Sequence, residues 1–286
     1  MSGFPDRRTA CHLSICIIAV LVLGLQVRAL AAPTNDPAFE AALAASTNLC
    51  FPMGEELTYR ATWGIIPVGA AKVTTGWVRD GDRWLIAIRY RMRSAAVISA
   101  IYPVDSTLES LIDPATFLPV RFIKKSREGR TRKHEVTEFD HRTGLAHWHS
   151  IFPEKKKQIA IRADTRDIIA FTYFMRRSPL NKGETLESHV LSDDKIYTIK
   201  LRMIDDEKIR LDEKIGTIKC VKIEPKASFD GYFVRTGRVF LWIAKSAPNY
   251  CVKMQARIPV ANISVMLADA RVNRDPFNPD WDVNPD

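Results

Sequence analysis

The sequence is poor in cysteine and contains none of the common motifs of catalysis or nucleotide binding. Of the 5 cysteines, only Cys50, Cys220 and Cys251 follow the amino-terminal apolar segment, and their spacing fits neither a CxxC motif nor a Cys/His zinc pattern. A GxSxG elbow, an HExxH motif, a Walker loop and a GxGxxG turn after a predicted strand are all missing. These absences exclude the easily recognised enzyme classes, and we assign no catalytic residue, no metal and no cofactor.

Long apolar runs are also scarce, and the one that stands out lies near the amino terminus. Arg7 and Arg8 precede an apolar run over residues 13–27, and Ala29-Leu30-Ala31 follows it. A basic segment, an apolar run and a small-residue exit are the parts of a secretory signal, whereas a membrane-spanning helix needs about 20 apolar residues. We therefore predict a cleaved signal peptide over residues 1–31 and a periplasmic protein that is not an integral membrane protein once processed. The alternative is an uncleaved amino-terminal anchor.

Acidic residues are outnumbered by basic ones. The chain has 33 Asp and Glu residues against 42 Lys and Arg, which gives a net charge of +9 at pH 7. Removal of the signal takes away three arginines and one aspartate, which leaves +7 (9 − 3 + 1). Outside the cytoplasm this excess favours anionic lipid head groups or acidic glycans as partners, and the compartment disfavours nucleic acid. The oligomeric state stays open.

Period-two alternation of apolar and polar residues recurs along most of the chain after residue 50, which indicates β-strands. The segment 56–63 is one example, and Asp80-Gly81-Asp82 before the segment 86–93 is typical of a tight hairpin turn. Further strands are predicted over residues 120–125, 133–139, 145–151, 158–162, 195–203, 209–212, 217–224, 232–244, 250–258 and 263–271. The fold class is therefore all-β: a large antiparallel, strongly curved sheet or a barrel-like meander.

Helical spacing interrupts the strands in two segments, residues 94–101 and 167–176, which could plug the ends of a curved sheet. We divide the chain into the signal peptide, a linker over residues 32–50 that could form a short helix, and a single β-rich domain over residues 51–271. The remaining tail, residues 272–286, is rich in Pro, Asn and Asp and is predicted to be disordered.

Strand order also makes a prediction about the thiols. If the strands around Cys220, Val239 and Cys251 pair consecutively, the two cysteines lie two strands apart, about 9 to 10 Å. That separation is too large for a disulfide. Both thiols should therefore be reduced unless Cys50 reaches one of them.

A series of short motifs runs through the chain in a fixed order. In the first half it comprises Gly54-Glu55-x-Leu57-x-Tyr59, Gly69, Asp105 with Ser110, Pro119 and Phe139-Asp140. In the second half it comprises Asp167, Tyr173, Arg176, Gly183, Gly216, Pro225 and Leu241-Trp242. This order resembles the bacterial envelope family known as domain of unknown function 3108 (DUF3108). The resemblance implies an exported, β-rich protein and supplies no catalytic residues.

Our candidate ligand site combines a stripe of arginines with aromatic side chains on neighbouring strands. The arginines are Arg89, Arg91 and Arg93, which point to one face of a strand. The aromatic residues are Trp63, Trp77 and Trp84. Guanidinium groups in a row repel one another unless water or an anion separates them, so the stripe could bind an anionic lipid or glycan. The alternative is an exposed outer face, and on either reading we expect that Gln at all three arginine positions leaves the fold intact.

Two weaker constellations remain. His147 and His149 could present two imidazoles to one ion, but the sequence positions no third ligand. Carboxylates available for acid–base chemistry are Glu55, Glu56, Asp105, Glu109 and Asp113, although Asp105 follows a proline in surroundings typical of a loop. We expect a non-catalytic periplasmic β protein that binds or helps handle an envelope component. The alternatives are an envelope hydrolase with an unrecognised carboxylate site and a protein-binding scaffold.

Overall fold

The computed structural model describes residues 36–177, 181, 183–212, 215–229, 232–233, 238–258 and 261–277. Within these ranges there are three short helices, α1 (Pro37–Ala45), α2 (Ala96–Ser99) and α3 (Ile168–Arg177). The strands are β1 (Glu55–Trp63), β2 (Ile66–Asp80), β3 (Arg83–Ser94), β4 (Val104–Ile112), β5 (Pro119–Glu128), β6 (Thr131–Asp140), β7 (Leu145–Ile151), β8 (Glu154–Ala160), β9 (Thr185–Ser192), β10 (Lys195–Arg210), β11 (Thr217–Phe229), β12 (Tyr232–Phe233), β13 (Arg238–Ala244), β14 (Cys251–Ile258) and β15 (Ala261–Val272). The predicted all-β class is confirmed.

All the described strands belong to one antiparallel sheet. Strands β1 to β8 follow one another in chain order on one side of it, and β15 back to β9 continue on the other, with β12 paired only to β11. Because β1 pairs with β15, the first and last strands lie side by side in the middle of the sheet. The pairing of the first strand with the last thus joins the two halves of the sheet.

The sheet curves until its two outer edges approach each other. Asp193, in the turn between β9 and β10, accepts hydrogen bonds from Nζ of Lys124 at 2.7 Å and Nζ of Lys133 at 3.0 Å, on β5 and β6. Burial alone would raise the pKa of Asp193, but these lysines outweigh it and lower the pKa to about 2. Arg166, which follows β8, forms a parallel bridge with Val190 of β9. The predicted curved, barrel-like meander is therefore confirmed.

Helix α3 lies against one face of the curved sheet, which we call the inner face. Ile169 and Tyr173 pack into the core cluster formed mainly by the first half of the sheet. Phe171 and Met175 pack into the cluster formed by the second half. The helix is buried on both sides because it fills the space between them. Its predicted role as a plug is consistent with this position.

Helix α1 belongs to the folded domain rather than to a linker. Asp36 caps it by accepting from the backbone N–H of Ala38 at 2.9 Å, and its second oxygen accepts from Nε1 of Trp84 at 2.8 Å. The ring of Phe39 meets Trp84 and Trp77 edge-on at 5.1 and 5.5 Å. These contacts extend the domain upstream of residue 51.

The tail is also ordered over its first residues, contrary to the prediction for 272–286. The N–H of Asn273 donates to the carbonyl of Gly54 at 2.7 Å, and the N–H of Trp77 donates to that of Pro276 at 2.9 Å. A Cβ at position 54 would lie 2.3 Å from the Asn273 oxygen, so this close approach requires glycine. Apolar contact of Phe277 with α1, at 5.5 Å from the Phe39 ring, explains the order. Residues 278–286, like residues 1–31 of the predicted signal, lie outside the described residues.

Other differences concern individual strands. Strands β4 and β9 were not predicted, and residues 209–210 continue β10 instead of starting a new strand. Asp105 lies within β4 rather than in a loop, since it pairs with Arg91 across the strands and not with nearby amides. Strand β8 begins at Glu154 rather than at residue 158, so the lysines at 155–157 lie in it. Cross-strand charge pairs account for these polar strands.

The three described cysteines are free thiols. Strands β11, β13 and β14 are consecutive neighbours in the sheet, as predicted. Cys220 packs in a cluster on the outer face, whereas Cys251 packs in the inner cluster beside α3. Both their separation and their opposite faces therefore prevent a bridge.

Candidate functional site

The inner face of the sheet keeps accessible apolar surface. Tyr59, Tyr90 and Leu108 pack against the first core cluster but are only partly buried. Their counterparts against the second cluster are Leu186, Tyr197 and Val239. Side chains of a close-packed interior would be covered completely, so these six residues leave apolar surface accessible on the inner face. We call this part of the inner face the chamber below.

Two tyrosines bring polar atoms to the chamber. Burial raises the pKa of both Tyr59 and Tyr90, and the nearby Cys251 thiol acts in the same direction. Both phenols therefore stay protonated at every physiological pH. They are hydrogen-bond donors that sit in otherwise apolar surroundings, an arrangement suited to orienting one polar group of a ligand.

Asp167 caps the first turn of α3 at the base of the chamber. One carboxylate oxygen accepts from the backbone N–H groups of Ile169 at 2.8 Å and Ala170 at 2.9 Å. The other accepts from the hydroxyl of Ser110 on β4 at 2.6 Å. Burial raises the pKa of Asp167 to about 6, although all three hydrogen bonds oppose the rise. The residue thus fixes α3 to β4 while carrying an unfavourable buried charge.

A buried ion pair fixes the other end of α3 to the start of β1. Arg176 donates from Nη1 and Nη2 to the two oxygens of Glu55 at 2.6 and 2.7 Å, and Tyr173 donates its hydroxyl to the same carboxylate at 2.9 Å. Arg176 also donates to the carbonyl of Pro248 at 2.8 Å. Burial lowers the pKa of Arg176, but the hydrogen bonds to Glu55 outweigh it and raise the pKa overall. Arg176 therefore stays charged, and its pair with Glu55 forms the floor of the chamber.

The predicted arginine stripe lies on the outer face of β3. Arg89 is only 8% exposed and donates from Nε to Glu109 on β4. Arg91 donates to Asp105 on the same neighbouring strand. Carboxylates rather than an external anion thus neutralise part of the stripe. The expectation that all three arginines can be replaced without affecting the fold does not hold for Arg89, because its removal would leave Glu109 unpaired. Anion binding by the stripe stays a prediction.

The predicted tryptophans are separated from the arginines. Trp77 and Trp84 belong to the inner core cluster with exposures of 5% and 3%, where they pack around Phe39 of α1. Trp63 is half exposed at the far end of β1. The six predicted ligand-binding residues therefore do not form one site, since alternation directs the tryptophans of β2 and β3 inward and the arginines outward.

The histidine pair lies on β7, as predicted. Nε2 of His149 is 3.9 Å from Glu154 of β8. Among the described residues, no group of three His, Cys, Asp or Glu side chains is arranged to hold a metal ion. Likewise, no helix in those ranges is both long and apolar enough to cross a membrane.

Sequence reasoning did not predict the ion pair and cap at the base of the chamber. In the sequence, Glu55 is a candidate acid or base and a motif residue, and Asp167 and Arg176 are motif residues at the ends of a predicted helix, but nothing there pairs them. The available signal was the motif order itself, because Glu55, Ser110, Asp167, Tyr173 and Arg176 all carry the family resemblance and meet in the structure.

Comparisons with known proteins match most of this chain to one family and to solved structures. The model of the family described as "Protein of unknown function (DUF3108)" matches residues 58–268. Among solved structures, a β-barrel-like protein of domain of unknown function DUF1849 from Brucella abortus is similar with a TM-score of 0.54 at 10% identity, over 78% of this chain and 99% of that one. A "putative lipoprotein" from Parabacteroides distasonis matches with a TM-score of 0.30 at 9% identity, over 78% of this chain and 98% of that one. No curated protein matches.

Proposed function

This chain belongs to the DUF3108 family, and we propose that it is an exported, non-catalytic protein of the periplasm that binds the apolar part of an envelope lipid in its inner chamber. The observation that carries the proposal is the accessible apolar lining contributed by residues such as Tyr59, Tyr90 and Leu108. Ligand pockets are mostly apolar with a few placed polar groups, and here the two phenols are those groups. The export part rests on the signal-like segment 1–31.

The state of the buried carboxylates favours binding over hydrolysis. A hydrolase needs titratable groups that converge on a cleft where substrate and water can reach them. Glu55 is held by Arg176 and Tyr173, and Asp167 by Ser110 and the start of α3. Both carboxylates therefore stabilise the position of α3 and are engaged in hydrogen bonds within the protein. An apolar lining also favours an acyl chain over a glycan, whose many hydroxyls require polar partners.

The test fills the chamber from one of its walls. Ala71 lies on the inner face of β2, with Tyr59 and Met92 as its neighbours in β1 and β3. Ala71→Trp should occupy space otherwise available to an acyl chain. Displacing two methylene groups, at about 0.8 kcal/mol each, should weaken binding of a fatty acid with an environment-sensitive fluorophore about tenfold or more.

A matched control places the same side chain on the opposite face. Thr58 is the neighbour of Tyr59 in β1 and faces outward, so Thr58→Trp should leave fatty-acid affinity unchanged. Thermal unfolding of both variants checks that the fold survives. Equal affinity of parent and Ala71→Trp, or no binding by a folded parent, would contradict the proposal. Native mass spectrometry of the exported protein would then show whether it carries a different ligand, such as a glycan.

A further inference from the structure

Exposed apolar side chains are concentrated at the end of the sheet opposite the Glu55–Arg176 floor. We call this cluster the apolar tip, and it consists of Trp63, Ile65, Ile66, Val97, Ile101 and Tyr102. Ile65 is 97% exposed, Ile101 83% and Val97 77%, whereas Met254 and Val272, which lie on strands, are 38% and 52% exposed. Of the eleven large apolar residues that are exposed in the described part of the chain, these six lie in or next to two connections. Exposed apolar surface of this kind marks an interaction site.

The two connections lie side by side at the same end of the sheet. Ile65 lies in the β1–β2 turn, Trp63 and Ile66 are the strand residues on either side of it, and the connection through α2 carries the other three tip residues. The N–H of Ala95 donates to the carbonyl of Val68 at 3.0 Å, which holds the α2 connection against the beginning of β2. Next to it, the N–H of Gly129 in the β5–β6 turn donates to the carbonyl of Pro103 at 2.8 Å. Three neighbouring loops therefore project in the same direction.

A row of arginines crosses the strands just behind the tip. Arg60, Arg93, Arg127 and Arg132 occupy one line of cross-strand neighbours, through Ala70 on β2 and Asp105 on β4. Arg130 adds a fifth positive charge in the β5–β6 turn, whereas Asp105 and Glu128 contribute two negative ones. Three positive charges thus remain in excess (5 − 2). The row lies three residues behind Trp63, about 10 Å along β1.

From this geometry we propose that the apolar tip inserts into the surface of a bilayer that contains anionic lipids. Interfacial segments bury apolar side chains about 5–10 Å into the boundary between head groups and acyl chains. Trp63 and Tyr102 suit that boundary because each has an apolar ring with a polar group. At that depth the arginine row reaches the head groups, whose negative charge complements it. This inference is independent of whether the chamber holds a lipid.

Vesicle binding by the exported protein tests the proposal. The probe is phosphatidylglycerol mixed into phosphatidylcholine vesicles, with pure phosphatidylcholine for comparison. The parent should sediment with the mixed vesicles, and each arginine in contact should contribute about fivefold in affinity over the neutral vesicles. Ile65→Asp with Ile101→Asp should weaken association about a hundredfold, tenfold for each isoleucine withdrawn from the membrane. Fluorescence emission that depends on Trp63, identified with Trp63→Phe, should shift to shorter wavelength on binding.

Val272→Asp is the matched control. Val272 is a half-exposed residue of β15 that pairs with Glu55, so it lies at the end of the sheet away from the apolar tip. It should bind vesicles as the parent does. The proposal would be overturned if the double aspartate variant bound vesicles as the parent does, or if the control lost as much binding as that variant. It would also be overturned if the parent did not bind anionic vesicles, which would indicate that the tip contacts a protein instead. A binding parent without any Trp63 shift would also overturn it.

Discussion

Asp167→Asn should gain stability relative to the parent as the pH rises from 4 to 7. Burial raises the pKa of Asp167 from an ordinary value of 3.8 to about 6. A carboxyl whose pKa rises on folding favours the folded state fully below about pH 4, and this contribution is lost as the pH rises through 6. The difference of about two pH units corresponds to about 3 kcal/mol. Asparagine has no proton to lose, and its amide can donate to Ser110 while its oxygen still caps α3.

Urea unfolding of both proteins at pH 4, 5, 6 and 7 measures this difference. The free energy of unfolding of the variant minus that of the parent should increase by up to about 3 kcal/mol over this range. Asp36→Asn provides a control, because Asp36 also caps a helix but the Trp84 hydrogen bond lowers its pKa. The contribution of the Asp36 carboxylate changes mainly below pH 4, so the stability of this variant relative to the parent should stay nearly constant from pH 5 to 7. A difference for Asp167→Asn that does not change with pH would refute the reasoning.

The remaining predictions concern three ion pairs. Glu55→Gln leaves the buried Arg176 guanidinium without its countercharge, so it should lower the free energy of unfolding by about 3 kcal/mol or more. A loss below about 1 kcal/mol in urea unfolding would show that water reaches the pair. Arg89→Gln should cost about 1–3 kcal/mol because its partner Glu109 is largely buried, whereas Arg91→Gln should cost less than about 1 kcal/mol because its partner is half exposed. Equal losses for the two arginines would contradict this ranking.

Strands with one apolar face could be predicted from the sequence because alternation reports which side is buried. β7 is the clearest case, since its predicted bounds, 145–151, are those observed. β4 was not predicted because its residues Asp105 and Glu109 are charged, which is unusual for a strand. In the structure they form ion pairs with arginines of the neighbouring strand β3. Charge pairs of this kind depend on the neighbouring strand, which a single segment of sequence does not reveal.

The candidate site was harder to predict than the fold because its parts are distant in the chain. Glu55 and Arg176 are separated by 121 positions, and Ser110 and Asp167 by 57. Local spacing carries no information about such contacts. The arginine stripe is evident in the sequence because its three members are close together, yet that closeness only reflects one face of one strand. The ion pair between Arg89 and Glu109 of β4 gives Arg89 a structural role.

Strand β1 connects the regions on which both proposals rest. Glu55, Tyr59 and Trp63 are four residues apart on one face, so the floor, the chamber and the tip follow at intervals of about 13 Å. Filling the chamber with Ala71→Trp should therefore reduce fatty-acid binding without changing vesicle association. Aspartates at the tip should do the reverse, because the chamber lining stays intact. If either variant impaired both activities, the tip loops would have to form the entrance of the chamber, and the membrane and the ligand would then compete for the same apolar surface.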